Sequence, residues 1–544
     1  MRIYQEAVVE IIKRFDKRVC FSFLLASCTT VYAGLFSLAD RQDAFIKIAT
    51  LFVAFTGSLL VCRYIDIGGI YRDAHIAVKI SSAAMTYLSL GIIRERFLED
   101  ASYYLQKYVP MAHRYHMQFY NLCLIVVFVV LYIYFVYLAE FFYRSVVKEI
   151  ICAMDAEEKL IAGIYISIMI LTALYAHTHS SAFSYAQYMD GSGNVTYAQY
   201  DAIMDCDSRA TFFSMVDLRY SDRHPFFYFV AMPEYVVAKS ISYLFCRKDI
   251  MSGFFLSVFS TLKLAVCGIC VKRLLNSKWA MLILYTSYPF ILYAIVVERH
   301  VFMLFWMVVM VYLFCQEKQK GYLPIILSAG ANTIGLAITP ILIGAKSFGA
   351  YIKKGIVVGA GFLYILIING KLYSMLQTRN PIARGQSFIN RDSLLGNLAR
   401  FTWAVRSCFA GVKIDFGAPY ATYYDQSGFS LLGFLILVIC LGIGMISARE
   451  KYARISFYWV VASVTTFVLI GFASYSSSMH MICFSWAFVS LLLMMVRYIR
   501  KWLHPCHFYM VDVGGWLFLL WQIVNNMETL GGLFEYATRF NYIS

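Results

Sequence analysis

Six aspartates fall between positions 190 and 222: Asp190, Asp201, Asp205, Asp207, Asp217 and Asp222, in a 544-residue chain with only 32 acidic residues. Arg209, Arg219, Arg223 and His224 are interleaved with them or follow them, and Pro225 comes next. Carboxylates gathered this way suit two tasks. They take a proton from an incoming hydroxyl, or they hold a divalent cation that neutralises a phosphate leaving group. Arginine adds bidentate contact to phosphate. The plain alternative is a solvated loop rich in Asp and Arg, which suffices for any one aspartate better than for the whole cluster. A second segment carries Arg379, Arg384, Arg391, Arg400 and Arg406. Five arginines there point to an anionic ligand such as a lipid diphosphate, with local acids or lipid headgroups as the plainer partners.

The elements that must hold these segments are membrane helices. The chain is 60% hydrophobic and 15% charged, with mean hydropathy +0.65, against about 45–50% apolar and about 25% charged in soluble domains. Apolar runs of the length that crosses a bilayer, about 17–25 residues, recur throughout. They lack the alternation of barrel strands, so the expected class is an all-α polytopic transmembrane bundle with 13–15 spans. The expected spans are roughly 20–38, 45–62, 76–93, 120–140, 159–176, 250–270, 279–296 and 300–315, then 322–338, 339–352, 354–372, 429–447, 455–473, 479–496 and 508–525. The pair 322–352 also reads as one re-entrant unit around Thr339-Pro340. Residues 226–245, broken by Pro233, Glu234 and Lys239, read as a helix lying in the interface with its charges toward water.

Net charge is +15, and the basic residues sit in short clusters between apolar runs. That is the positive-inside pattern, not a nucleic-acid footprint, and no nucleic-acid partner is expected. Lys13–Arg18, Lys272/Arg273/Lys278, Lys318/Lys320, Lys353/Lys354, Arg449/Lys451/Arg454 and Arg497/Arg500/Lys501 agree on one cytoplasmic side. The polar segments 177–249 and 373–428 then fall on the outer side. The loop 94–115, with Arg94, Arg96, Lys107 and Arg114, resists this scheme. The basic N-terminus reads as a signal-anchor. The 14 cysteines are scattered, and Cys267 and Cys270 read as small core residues, not as a metal site. Asn194-Val195-Thr196 matches a glycosylation sequon weakly. The chain divides into N-terminal helices 1–150, a module 151–372 bearing the acidic segment, the Arg-rich segment 373–428 and C-terminal helices 429–544.

The order of a span, an external acidic loop, the His224-Pro225 turn, a juxtamembrane helix, a span ending in Lys272-Arg273-Leu274-Leu275-Asn276-Ser277-Lys278, and a Pro289-containing span ending in Glu298-Arg299-His300 resembles the GT-C superfamily of integral-membrane glycosyltransferases. Protein O-mannosyltransferases and lipid A aminoarabinose transferases belong to it. The resemblance covers about 160–345. It departs from the family in lacking an early Asp-Glu pair and in having four spans ahead of the acidic loop. It implies an inverting transfer of a sugar from a polyprenyl-phosphate donor to a glycan, lipid or protein acceptor, with Asp190, Asp217 or Asp222 as base. Arg219, Arg223, His224, Glu298, Arg299, Arg379, Arg384 and Arg391 would bind substrate, and Asp205 and Asp207 a divalent ion, Mg or Mn. The setting implied is a bacterial inner membrane with the site on its outer face. The alternatives are an O-antigen or capsule polymerase, and a transporter or flippase. The latter predicts ionisable residues buried in mid-span; here those are Lys79 and Lys263, neither with an obvious partner.

Overall fold

A computed structural model describes residues 17–38, 44–64, 67–93, 116–184, 187–189, 195–197, 211, 215, 227–246, 248–318, 323–332, 335, 347–368, 389, 393–411, 428–472 and 477–538. It is an all-α helical bundle, apart from a small antiparallel hairpin pairing Gln187–Met189 with Val195–Tyr197. The helices are α1 Lys17–Leu38, α2 Ala44–Tyr64, α3 Ile67–Asp73, α4 Ile76–Ile93, α5 His116–Phe142, α6 Ala156–His179, α7 Phe227–Ser242, α8 Lys248–Leu275 and α9 Trp279–Thr286. They continue as α10 Tyr288–Ile295, α11 His300–Cys315, α12 Leu323–Ala331, α13 Phe348–Ile368, α14 Leu394–Ser407, α15 Leu431–Ser447, α16 Lys451–Val464, α17 Ile482–Trp502 and α18 Phe508–Ala537. Among the described residues seven helices are long and apolar enough to cross a membrane, and five shorter apolar ones accompany them. The expected span 279–296 is a broken pair, α9 and α10, and 508–525 is the front part of a 30-residue helix. Residues 333–334 and 336–346, including Thr339-Pro340, lie outside the described set, as does the loop 94–115.

The chain forms two compact units. One comprises residues 1–149 with 357–378, the other 150–356 with 379–544. In the first, α1 packs along α2, and Ser58 of α2 hydrogen-bonds Tyr364 of α13, whose ring lies over Gly57. Lys79, without an obvious partner in the sequence, donates to the Arg72 carbonyl at 3.3 Å and lies over the Tyr71 ring. Its long stem lets the ammonium reach a helix end.

The second unit is built around α11. Residues His300 through Leu313 are all buried, which explains why this helix is apolar on every face: it is enclosed by other helices. α6 and α8 run antiparallel. At one end Lys272 and Arg273 of α8 bond Asp155 and Glu158 at the start of α6, and at the other His177 bonds Ser257. α8 ends where Asn276 takes a positive φ of 50°, a conformation asparagine tolerates. The break between α9 and α10 comes from Pro289, which has no N–H to continue the ladder. The carbonyls it frees are met by α18: Gln522 donates to Ile283 O at 3.0 Å, and Asn526 to Thr286 O at 2.7 Å. This is how a membrane helix tolerates a break, because lipid offers no hydrogen bonds.

In lipid the helices gain little from apolar burial against one another, so small residues that allow close approach set the contacts. Gly433 of α15 shows this most sharply, since a Cβ there would lie 1.7 Å from the Thr402 carbonyl oxygen of α14. Gly433→Ala is therefore expected to push α15 off α14 and cost about 1–3 kcal/mol, the range for overpacking. Gly442→Ala, with open space around it, is the control. Denaturant titration in micelles reads the difference; equal stability of the two variants would contradict the packing.

Candidate functional site

The two ends of the second unit differ in chemistry. One end gathers Lys272, Arg273 and Lys278 with Asp155, Glu157 and Glu158, then Lys451 with Glu317, and Arg497 with Glu450. Three of the clusters expected to share a side are thus at one end. The opposite end holds Glu298, Arg299 and His300 in the turn from α10 into α11. It also holds the short helix Ser477–His480 that precedes α17.

Glu298 is fully enclosed and Arg299 and His300 are nearly so. Both side chains therefore lie inside the bundle and do not reach out of it. The cause is local. Glu298 Oε1 accepts the backbone N–H of Arg299 at 3.0 Å and faces His300 Nδ1 at 3.0 Å, folding the carboxylate back over the start of α11. The helix N-terminus, rich in unsatisfied N–H groups, favours an anion there. Arg299 Nε lies 3.7 Å from the same oxygen. The second oxygen, Oε2, is enclosed and takes no hydrogen bond among the described residues. Buried Thr211 lies close enough to favour the ionised carboxylate, yet its hydroxyl is outside hydrogen-bond geometry. Burial outweighs these contacts and pushes the Glu298 carboxyl up to about 8.

The chain continues outward. His300 Nε2 meets His480 Nδ1 at 3.0 Å, with the rings 4.8 Å apart and steeply inclined. His480 is the partly exposed member of the trio. Its ring stacks on Phe467, which sits in a π-helical turn, Thr465–Leu469, at the end of α16. Such turns widen a helix and reposition a side chain, often at functional positions. Phe467 also stacks on Phe401 of α14, and Asn397 of α14 donates to the Val468 carbonyl. Neutral imidazoles each offer one donor and one acceptor nitrogen, so the trio can pass a proton.

Anchors of both polar segments converge on this end. The acidic segment leaves α6 after His179 and rejoins at α7, whose Phe227 meets Phe302 of α11 at 5.1 Å. The Arg-rich segment rejoins at α14, packed on Ser477–His480. Of the residues singled out in the sequence, Glu298 and Arg299 are described and lie together, and Arg400 and Arg406 are described on α14. Asp190, Asp205, Asp207, Asp217, Asp222, Arg219, Arg223, His224, Arg379, Arg384 and Arg391 lie outside the described residues. Among the described residues no group of three metal-ligating side chains comes together. His480 escaped the sequence reading because it sits in an unremarkable stretch, Ser478-Met479-His480-Met481, 180 positions from its partner.

Two expectations are corrected here. Lys263 is not without a partner: its ammonium bonds Glu234 Oε2 at 2.6 Å and lies over the Phe302 ring. α7 therefore does not turn all its charges to water. Glu234 points inward because a buried ammonium on α8 needs a counter-ion.

No protein-family model matches the chain, and comparisons with curated proteins and with solved structures find no match. What fold and site define is a class, an α-helical membrane protein with a buried carboxylate–imidazole–imidazole chain at one end of its larger unit.

Proposed function

We propose that this protein is a membrane glycosyltransferase. It would move a sugar from a polyprenyl-phosphate-type donor to a glycan, lipid or protein acceptor on the outer face of a bacterial inner membrane. The observation that carries the reading is the convergence of the described anchors of the two polar segments, α7 and α14, with the Glu298–His300–His480 chain at the end of the unit opposite its basic clusters. Transfer of this kind needs a base for the acceptor hydroxyl and positive charge for the departing phosphate. Carboxylates of the 190–222 segment and the arginines of both segments suit those tasks. If Asp205 and Asp207 hold Mg or Mn, the ion supplies further charge at the phosphate.

The test is transfer from a polyprenyl-phosphate sugar by the full chain in proteoliposomes, with Asp190→Asn, Asp217→Asn and Asp222→Asn assayed singly. At least one is expected to lose about 100-fold or more. Full transfer in all three removes the assignment of the base to this segment.

A second reading is favoured by one observation, the Lys263–Glu234 pair. Ionisable groups paired between membrane helices mark ion or proton paths, so a proton-coupled transporter competes. That reading expects proton movement coupled to solute uptake, with unchanged transport in the three Asn variants.

A further inference from the structure

Glu298, His300 and His480 differ from an ordinary buried polar cluster in two respects. The first is the inner end: among the described residues Glu298 Oε2 is enclosed with no hydrogen bond. An orphaned oxygen in a packed interior is costly and calls for an explanation beyond packing. The second is the outer end. His480 bonds His300 through Nδ1 and meets Phe467 and His300 with its ring, while Nε2 takes no described partner and is not among the enclosed polar atoms. The trio thus runs from a sealed carboxylate to one imidazole nitrogen left open.

We infer that Glu298, His300 and His480 act as one proton relay, and that Nε2 of His480, in place of an aspartate of the 190–222 segment, is the atom that accepts the acceptor-hydroxyl proton during transfer, leaving those aspartates to hold the cation. The second half rests on the transferase reading; the relay itself does not. With Glu298 ionised, His300 Nδ1–H donates to Glu298 Oε1 and His480 Nδ1–H donates to His300 Nε2, leaving the Nε2 lone pair of His480 free. As the acceptor oxygen bonds the anomeric carbon and the carbon–oxygen bond to phosphate breaks, the bond pair leaves with phosphate. The hydroxyl proton passes to His480 Nε2, the Nδ1 proton of His480 moves to His300 Nε2, and the Nδ1 proton of His300 moves to Glu298. The relay ends neutral, with both of its hydrogen bonds reversed, and the negative charge resides on the phosphate. His480 is the catalytic residue here. His300 and Glu298 position it and store the proton.

The charged and titratable groups around Glu298 set the pH at which it stores a proton. Arg299 and His300 adjoin it in its own turn, His480 faces it across His300, and Cys483 of α17 lies within its field. Lys263 and Glu234 lie beyond Phe302 and compensate each other. The high Glu298 value, about 8, places loading and unloading of the relay just above neutrality.

Two measurements separate the relay from the reaction. Infrared difference spectroscopy of the full chain in micelles is expected to show a protonated carboxyl band that is lost between about pH 6 and about pH 10. The band should be absent from Glu298→Gln and titrate at a different pH in His480→Gln. Absence of the band in the wild type, or a titration unmoved in His480→Gln, overturns the relay whatever the protein catalyses. In proteoliposomes, His480→Ala is expected to lower transfer about 100-fold, the scale of general-base catalysis, and added imidazole is expected to restore at least a tenth of it. The rising limb of the pH–rate profile should disappear in Glu298→Gln. A His480→Ala variant with wild-type transfer, or a loss that imidazole does not rescue although the variant is folded, overturns the role of His480. Absence of transfer in the wild type with its infrared titration intact overturns the transferase reading and the acceptor role together, and leaves the relay standing.

Discussion

Replacing Glu158 by Gln is expected to destabilise the protein by about 3–5 kcal/mol, the cost of breaking a buried ion pair by removing one partner. The Glu158 side chain is 2% exposed and receives Arg273 through Nε at 3.0 Å and Nη2 at 2.7 Å, with Lys272 at 3.1 Å. It also returns to its own helix start, accepting from the Asp155 N–H while Asp155 accepts from the Glu158 N–H. Gln keeps the shape and part of the hydrogen bonding, but leaves two cations at the end of α8 with Asp155 as their nearest acid, and Asp155 is half exposed. Lys278→Ala is the control: its contact with Glu157 is 3.8 Å long and both side chains are about half exposed, so it should change stability by less than about 0.5–1 kcal/mol. Reversible unfolding in mixed micelles measures both. A Glu158→Gln variant as stable as Lys278→Ala would show that this network does not fasten α6 to α8. Asp155 adds a pH dependence of known sign. Its hydrogen bond from Lys272 holds the carboxyl below the ordinary carboxylate value, so its contribution is present above the unfolded value and is lost as pH falls through the lower folded one.

Lys263→Met is expected to cost a similar amount, about 3–5 kcal/mol, for the opposite reason. Here the loss strands Glu234, whose carboxylate has Lys263 at 2.6 Å as its counter-ion. The ammonium also gives up its place over the Phe302 ring, a smaller term of about 1–2 kcal/mol. The double variant Lys263→Met/Glu234→Leu removes both charges and should recover most of the stability, since a buried ion pair is often no better than well-packed apolar groups. Failure to recover would mean that the pair does more than neutralise itself. The same double variant weighs on function: an intact transfer rate favours the transferase reading, whereas abolished proton-coupled uptake favours a transporter.

Glu298 brings a stability signature as well. Its folded value of about 8 lies above the ordinary carboxylate value, so the folded protein holds a proton that the unfolded chain releases. That stabilisation is complete below the unfolded value and declines as pH rises through about 8.

Sequence alone determined that the helices exist and that they are membrane helices, because length and apolar content of each run are local properties. It also indicated which basic clusters share an end, since Lys272/Arg273, Lys451 and Arg497 each close or open a helix with an even number of expected crossings between them. Partners were another matter. Lys263 and Glu234 lie 29 positions apart, and His300 and His480 lie 180 apart; no periodicity links them. The rescue of the α9–α10 break by Gln522 and Asn526 was equally invisible, although Pro289 announced the break itself. A proline's missing donor is written in one residue, whereas the group that satisfies the freed carbonyl depends on which helix packs alongside. For the same reason the aspartates of 190–222 and the Glu298-Arg299 pair could be recognised as chemistry from their types. Only the tertiary structure decided that Glu298 is sealed inside and joined through His300 to His480, because burial and hydrogen-bond partners are fixed when separate helices meet.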